Sequence, residues 1–588
     1  MERNRCRPDI LYLPHELIGC IASHLQNRDL KCLRLACRQL SRHATLRFYR
    51  VFISANPRNI EVFRTVADHA VFRKTVVEIF WDDARFRDRG NEDELAEVDG
   101  PQHLPPRLCD GQKADTDHVP AWFLQDLEDN MATLLERKGM DRDFPRHVTR
   151  QKQIEEQMPP SKAWATYCDL LLQQDQVLRS GADIEAFKYG LSRFPALRRV
   201  TVSPAVHGYL FTPLYQTPMM RMYPAGFNYP IPRGWPTREM ERQTEDGAQE
   251  MPTWTDNIHH DTERIKNKWR GFRVVTRLLA DAALEHKVTE LVVDAHELAT
   301  GVNCRIFEQE CDEQADFAAV LRFPGFRRLD LSLNVEGQQQ RDWPAFRSGH
   351  LGAALAAASK YLEHFSLDGG TREYRLLKGD QGVLTTHTVP LLTFIPVLKW
   401  PSLRHFGLSR LPVLQADVMH LLAALPETIR TVHLSCLTFQ AGESYRSLME
   451  DMRDTLGWKW RIPDQRPSVS ISVRQNIWVM GRAILLGQQV DDFLYENGPN
   501  PFHQLDYFDD DVLEGSGAMV RDAFEPEFER PHDSAFTLVR MGFLKEDGYV
   551  GAIVSAYDNL KAKGDIDDGV TEDVWFRGLR SRQVPLLK

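Results

Sequence analysis

One spacing recurs along this chain and restricts what it can fold into: an apolar residue, two others, an apolar residue, one other, an apolar residue. It reads Leu197-x-x-Val200-x-Val202, Val288-x-x-Leu291-x-Val293, Phe326-x-x-Leu329-x-Leu331 and Leu362-x-x-Phe365-x-Leu367. It returns as Leu403-x-x-Phe406-x-Leu408 and Ile429-x-x-Val432-x-Leu434, and a first copy is Val76-x-x-Ile79-x-Trp81 within KTVVEIFWDD. The closing alternation is that of a strand with one buried face. From Leu291 onward the central residues stand 38, 36, 41 and 26 positions apart. Helix-patterned stretches fill the gaps: TRLLADAALEHK, GHLGAALAAASK and ADVMHLLAALPET. Strand, helix, strand at this spacing implies parallel pairing, and a stacked series buries each unit against the next. The expected class is α/β, an irregular solenoid with a parallel sheet behind an all-α start. An ordinary α/β domain with several similar strands is the alternative.

At 588 residues the chain exceeds one ordinary core, and its 42% hydrophobic content with twelve Trp predicts that most of it folds. A net charge of −10 gives no reason to expect nucleic acid or an anionic membrane as partner. No apolar run approaches the ~18 residues of a membrane span, and the N-terminus lacks the apolar core of a secretory signal. Nine cysteines without a CxxC pair favour a reducing setting, cytoplasmic or nuclear.

The start of the chain, LPHELIGCIASHLQNRDLKCLRLACRQL at 13–40, carries two helical stripes. Leu17, Ile21 and Leu25 form one; Leu30, Leu33, Cys37 and Leu40 form the other. Pro14 suits a first turn, and Asn27 to Asp29 reads as a break with a new N-cap. Two or three short helices are marginal alone, so this part either caps the rest of the chain or docks onto another protein. Leu13-Pro14-x-Glu16-Leu17, Ile21, Leu25, Asp29-Leu30, Leu33 and Cys37-Arg38 resemble the F-box, with Leu40 where many F-boxes carry an aromatic residue. The resemblance implies a helical module at 10–54 that docks on the Skp linker of a cullin–RING ubiquitin ligase. It further implies that Leu13, Pro14, Leu17, Ile21, Leu25, Leu30 and Leu33 meet that linker. The repeated phrase resembles the strand segment of leucine-rich repeats, without the usual Asn. F-box followed by repeats, with VVEIFWDDARF and GFNYPIPRGWP, is similar to the large fungal set of F-box proteins with degenerate repeats. The implied role is non-catalytic: a substrate receptor of an SCF ligase that reaches a cullin through the linker and uses no cofactor. The alternative is a repeat scaffold, outside any ligase, with a helical N-terminal cap.

The repeat region is expected over 70–500 with insertions at 82–118 and 204–254, and 501–588 as an acidic, partly ordered C-terminal region. If the repeated apolar residues face inward, those between them line the exposed face. That face would hold Arg199, Thr201, Ser203, Glu290, Asp294, Arg328, Asp330, Ser332, His364, Ser366, Asp368, His405, Ser409, Thr431, His433 and Ser435. Arg328, Asp330, His364, Asp368, His405 and His433 are the candidates for target contact. The first insertion reads as a solvated loop. The second is rich in Pro and aromatics, including Tyr229 and Trp235, and is either an ordered cover for the repeats or an anchor for a target. Catalytic signatures are absent: no phosphate loop, dinucleotide glycines, HExxH or nucleophile elbow. His259, His260 and Asp261, Cys304 with Cys311, and Asp509 to Asp511 lack metal-site spacing, so no metal is expected.

Overall fold

The computed structural model describes residues 13–87, 119–138, 145–236, 254–255, 262–358, 360–370, 388–440, 442–474, 481–502, 512–513 and 516–532. Its strands are β1 (Arg50–Ile53), β2 (Glu78–Asp82), β3 (Arg199–Ser203), β4 (Glu290–Val293), β5 (Val302–Asn303), β6 (Arg328–Asn334), β7 (His364–Asp368) and β8 (His405–Ser409). They continue with β9 (Pro412–Val413), β10 (Thr431–Ser435), β11 (Thr438–Phe439), β12 (Ser468–Arg474), β13 (Arg482–Leu485), β14 (Met519–Asp522) and β15 (Glu525–Pro531). Among the described residues one sheet runs β1-β2-β3-β4-β6-β7-β8-β10-β12-β13-β14-β15, with β5 paired to β6; β9 and β11 pair separately. The pairs from β1 to β12 are parallel, and those from β12 to β15 antiparallel. The class is therefore α/β with a large, mostly parallel mixed sheet.

All seven copies of the repeated phrase fall on this sheet in one register. Ile79, Val200, Leu291, Leu329, Phe365, Phe406 and Val432 are successive cross-strand partners, flanked by Val51 and Val469. They point into the main core with the helices Arg270–Ala280, Asp312–Leu321, His350–Ala356, Gln415–Ala423 and Tyr445–Thr455. Each of the seven from Ile79 to Val432 is at most 1% exposed, so truncation to Ala there removes about 2–5 kcal/mol. The helix expected in TRLLADAALEHK stops at Ala280, because the Asp281 side chain accepts the Ala283 N–H and turns the chain.

Ahead of α4 (Pro57–Asp68) and the sheet stand three short helices, α1 (His15–His24), α2 (Asn27–Ala36) and α3 (Arg38–His43). They share a small core of Ala22, Leu30 and Ala44 with Leu25, Leu33 and Leu46, separate from that of the sheet. Arg47 ties the group together, donating to the α1 carbonyls of Ala22 (3.1 Å) and Ser23 (2.7 Å) and to Leu25 (2.6 Å). Residues 50–53, assigned from sequence to the helical start, are already sheet.

Several expectations for the insertions and tail are corrected. Asp82 and Asp83 are buried and Phe86 joins a second core, so only 88–118 of the first insertion lies outside the described residues. Part of the tail, read as loosely attached, forms β14 and β15. Their tip is held by buried ion pairs to the helices α5 (Ala121–Lys138) and α6 (Pro145–Glu155): Arg137 with Asp522 at 2.6 Å, and Arg150 with Glu525. Residues 533–588 lie outside the described residues.

Where the parallel strands end, polar side chains fold the chain back. Asp82, Ser203, Asp294, Asn334 and Asp368 each accept the N–H two residues on, at 2.7–3.2 Å. His296, Gly370, Arg410 and Cys436 follow with φ of 49–61°. Arg410 is buried there and holds three strand ends together. It bonds Asp368 twice (Nε at 2.8 Å), the Leu298 carbonyl at 2.9 Å and the His296 carbonyl at 2.6 Å. Burial disfavours its charge, yet the carboxylates of Asp368 and Glu297 outweigh this and hold its pKa above the ordinary value. Arg410→Met should lower stability by about 3–5 kcal/mol in urea unfolding, because Asp368 and two carbonyls lose their partner. Adding Asp368→Asn should restore part of the loss.

Candidate partner-binding surfaces

The two rungs that face away from the main core differ along the sheet. Over β1–β3 the face is covered. Phe52 and Phe80 meet Tyr215, and Phe86, Val206, Met219, Phe227 and Tyr229 pack with Phe123, Trp164 and Tyr167 of α5 and α7 (Pro160–Ser180). The described part of the aromatic insertion is thus a lid over sheet, not an anchor offered to solvent. Tyr229 is buried, with its hydroxyl 3.0 Å from His207 Nδ1 and its carbonyl accepting from Asn130. Trp235 is wholly buried and donates from Nε1 to Asp83 Oδ2 at 2.7 Å, while Gly271 N donates to Oδ1 of the same carboxylate. A Cβ on Gly271 would stand 2.5 Å from Trp81 Nε1, so no larger residue fits at this crossing. Both aromatic target candidates are therefore core.

From β4 to β10 the face is more open, and along the starts of the strands, from β1 onward, runs a cross-strand ladder of charge. Arg50 pairs with Glu78 at 2.7 Å and Arg199 with Glu290 at 2.6 Å. Arg328 pairs with Asp330 at 2.6 Å, and His364 Nε2 lies 2.6 Å from the other oxygen of that carboxylate. The rings of His364 and His405 stack at 3.9 Å, and His405 Nδ1 lies 2.8 Å from Thr431 Oγ1. Burial, then the neighbouring His364, pushes the His405 pKa down to about 3. Burial alone would raise that of Asp330; the contacts from His364 and Arg328 hold it below the usual carboxylate range. Arg328, Asp330, His364 and His405 are thus brought together, each partly accessible.

The remaining members of the predicted column separate from these four. Thr201, Ser203, Ser332 and Ser435 are buried, and Asp368 is taken by Arg410. His433 is half-buried on β10, where burial lowers its pKa. Arg50 and Glu78 extend the ladder. Phe48-x-x-Val51-x-Ile53 has the repeated spacing and would have revealed that extension, had the segment not been given to the helical start.

On the helical start, accessibility also divides the predicted contacts. Leu17 is 51% and Ile21 39% exposed on one face of α1, and Pro14 is exposed at its start. Leu13, Leu25 and Leu33 are half-buried. Leu30 is fully buried in the local core and is not free to meet a partner, and Ile18, not Leu17, turns inward. Leu35, unassigned from sequence, is 87% exposed on α2.

Among the described residues no group of three or more His, Cys, Asp or Glu is placed to hold a metal ion. Cys304 is buried and the Cys311 thiol contacts the Ile306 carbonyl. His259, His260, Asp261 and Asp509 to Asp511 lie outside the described residues. No described helix is long and apolar enough to cross a membrane. Comparison with known protein families and with curated proteins finds no match to this chain.

His207 gives a pH test of the aromatic lid. Burial, then Arg233, lowers its pKa to about 3, so the folded protein holds it neutral while the unfolded chain protonates near 6.5. Its contribution is present above pH 6.5 and is lost on acidification, by about 1.4 kcal/mol per pH unit. Buried Asp82, whose pKa is raised chiefly by burial, acts in the opposite sense and is common to wild type and variant. Urea midpoints between pH 7.5 and 5.5 should therefore fall less steeply for His207→Gln than for wild type.

Proposed function

We propose that this chain is the substrate-recognition subunit of an SCF-type ubiquitin ligase. In this reading residues 13–49 are an F-box, and the sheet with its helices is an irregular leucine-rich-repeat-like solenoid that holds the target. The observation that carries the reading is the helical start itself. It has a core of its own, yet Leu17 and Ile21 on α1 and Leu35 on α2 remain in water, as does Pro14. A cap would share the core of the sheet it closes; a docking module keeps apolar side chains for another chain. The exposed face of α1 then meets a Skp-type linker, and through it a cullin, while Leu25, Leu30 and Leu33 shape the module from within.

The target would lie on the ladder of Arg328, Asp330, His364 and His405, which presents fixed charges and donors on a rigid sheet. Transfer chemistry rests with other subunits, and the chain contributes proximity. The alternative, a scaffold outside any ligase, requires the linker to ignore the helical start.

Leu17→Asp with Ile21→Asp should weaken binding to purified Skp linker by about a hundredfold, with a melting temperature close to wild type. Unchanged affinity would discard the ligase reading. Arg328→Glu with His405→Glu should keep the linker and lose whatever co-purified proteins depend on residues 50–532, read by quantitative mass spectrometry; retention of all of them would remove the ladder from consideration.

A further inference from the structure

The two ends of the parallel strands are chemically unlike. At their C-terminal ends polar groups are spent on turns and buried ion pairs. At their N-terminal ends, where the chain enters β7, β8, β10 and β12, large apolar side chains stand in water. Leu398 is 83%, Trp460 87% and Ile462 64% exposed, and Tyr361 about half. They lie on the segments 357–363, 395–404 and 456–467, which lead into β7, β8 and β12. The four strands are neighbours, so a spacing of about 4.8 Å sets these segments along a strip roughly 14 Å wide.

The same strip is basic. With residues 424–430, which lead into β10, it carries Lys360, Lys399, Arg404, Arg430, Lys459, Arg461 and Arg466 against Glu363, Glu427 and Asp464, within a chain of net charge −10. Backbone bonds from Arg404 N to Glu363 O and from Arg430 N to Arg404 O make these residues adjacent. Glu363 is engaged by Arg327 at 3.5 Å. Among the described residues no carboxylate pairs with Arg404 or Arg430, both exposed. Arg461 Nη1 is shut off from water without an acceptor, its guanidinium 5.9 Å from the Trp458 ring centre.

We propose that this strip docks an acidic protein segment that carries spaced apolar side chains. Its carboxylates meet the exposed Arg404 and Arg430, and its apolar residues meet Trp460, Leu398 and Ile462. A nucleic acid fits less well, since Leu398 and Ile462 offer no plane for stacking and the chain is acidic overall. The helical start takes no part, so the proposal holds or fails apart from the ligase reading.

Fluorescence anisotropy with the full chain tests it, using a labelled peptide of about twelve residues in which Leu and Trp are spaced among Glu. The Glu peptide should bind, and the same peptide with Lys for Glu should not. Trp460→Ala with Leu398→Ala, and separately Arg404→Glu with Arg430→Glu, should each weaken binding roughly tenfold or more. All four positions are surface ones, and circular dichroism melts should match wild type. Absence of peptide binding overturns the proposal, as does binding that all variants retain. Tighter binding of phosphatidylserine vesicles or oligouridine, lost in the same variants, overturns it in favour of a membrane or an RNA. Self-association through the strip in sedimentation, abolished by Trp460→Ala, overturns it in favour of a second copy.

Discussion

Register is the constraint on which the rest of this structure depends. Parallel strands laid side by side in chain order, with most of their helices on one face, can bury apolar residues there only if every strand presents them on the same rungs. A slip of one residue would turn Leu329 and Leu331 to the open face and drive Arg328 and Asp330 into the core. The row from Val51 to Val469 shows no such slip, although the units between strands vary widely in length. Variation is absorbed outside the sheet, as in the long stretch between β2 and β3 that supplies α5 to α7 and the stretch between β3 and β4 that supplies the aromatic lid. The charged ladder follows from the same constraint, because fixing the inward rungs also fixes which side chains become neighbours on the other side.

The strand ends solve a second problem. Leucine-rich repeats commonly place an Asn three residues after the last apolar residue of the phrase, and of the seven copies here one does so, with Asn334 following Leu331. Asp82, Ser203, Asp294, Asn334 and Asp368 do comparable work by accepting the N–H two residues on. Of these, the Asp368 carboxylate is matched by Arg410, which also binds carbonyls from the loop after β4. Residues that seemed free for a partner are consumed in this way, and the accessible polar surface contracts to Arg328, Asp330, His364 and His405 with their neighbours.

Much of this was legible in the sequence. The repeated spacing located the strands from β2 to β10 because alternation reports the buried face directly. The three short helices were legible from their stripes, but which members of a stripe meet the local core was not: Ile18 turns inward and Leu17 outward, a rotation of one residue that spacing alone cannot resolve. Trp235 and Tyr229 looked available because prolines and aromatics mark both lids and recognition loops, and only the position of Asp83 and His207 beneath them separates the two. β14 and β15 were hidden by acidity. Asp522 and Glu525 read as tail charges until Arg137 and Arg150, contributed by helices far earlier in the chain, neutralise them. Leu398, Trp460 and Ile462 carry no periodic signal at all, lying on irregular segments between helix and strand.

The hairpin of β14 and β15 has a further consequence. Phe524 at its tip touches Tyr209 and His296, and Asp522 reaches Arg137, 385 positions earlier. Arrays of stacked units usually gain stability step by step, each needing only its neighbour. Here the last pieces latch onto the first. During synthesis the α5–α6 pair must wait for its ion pairs to Asp522 and Glu525 until residue 525 has left the ribosome. A truncated or stalled product thus lacks these closing ion pairs and leaves the α5–α6 pair open to proteolysis, whereas the finished chain ties residues near its two ends together.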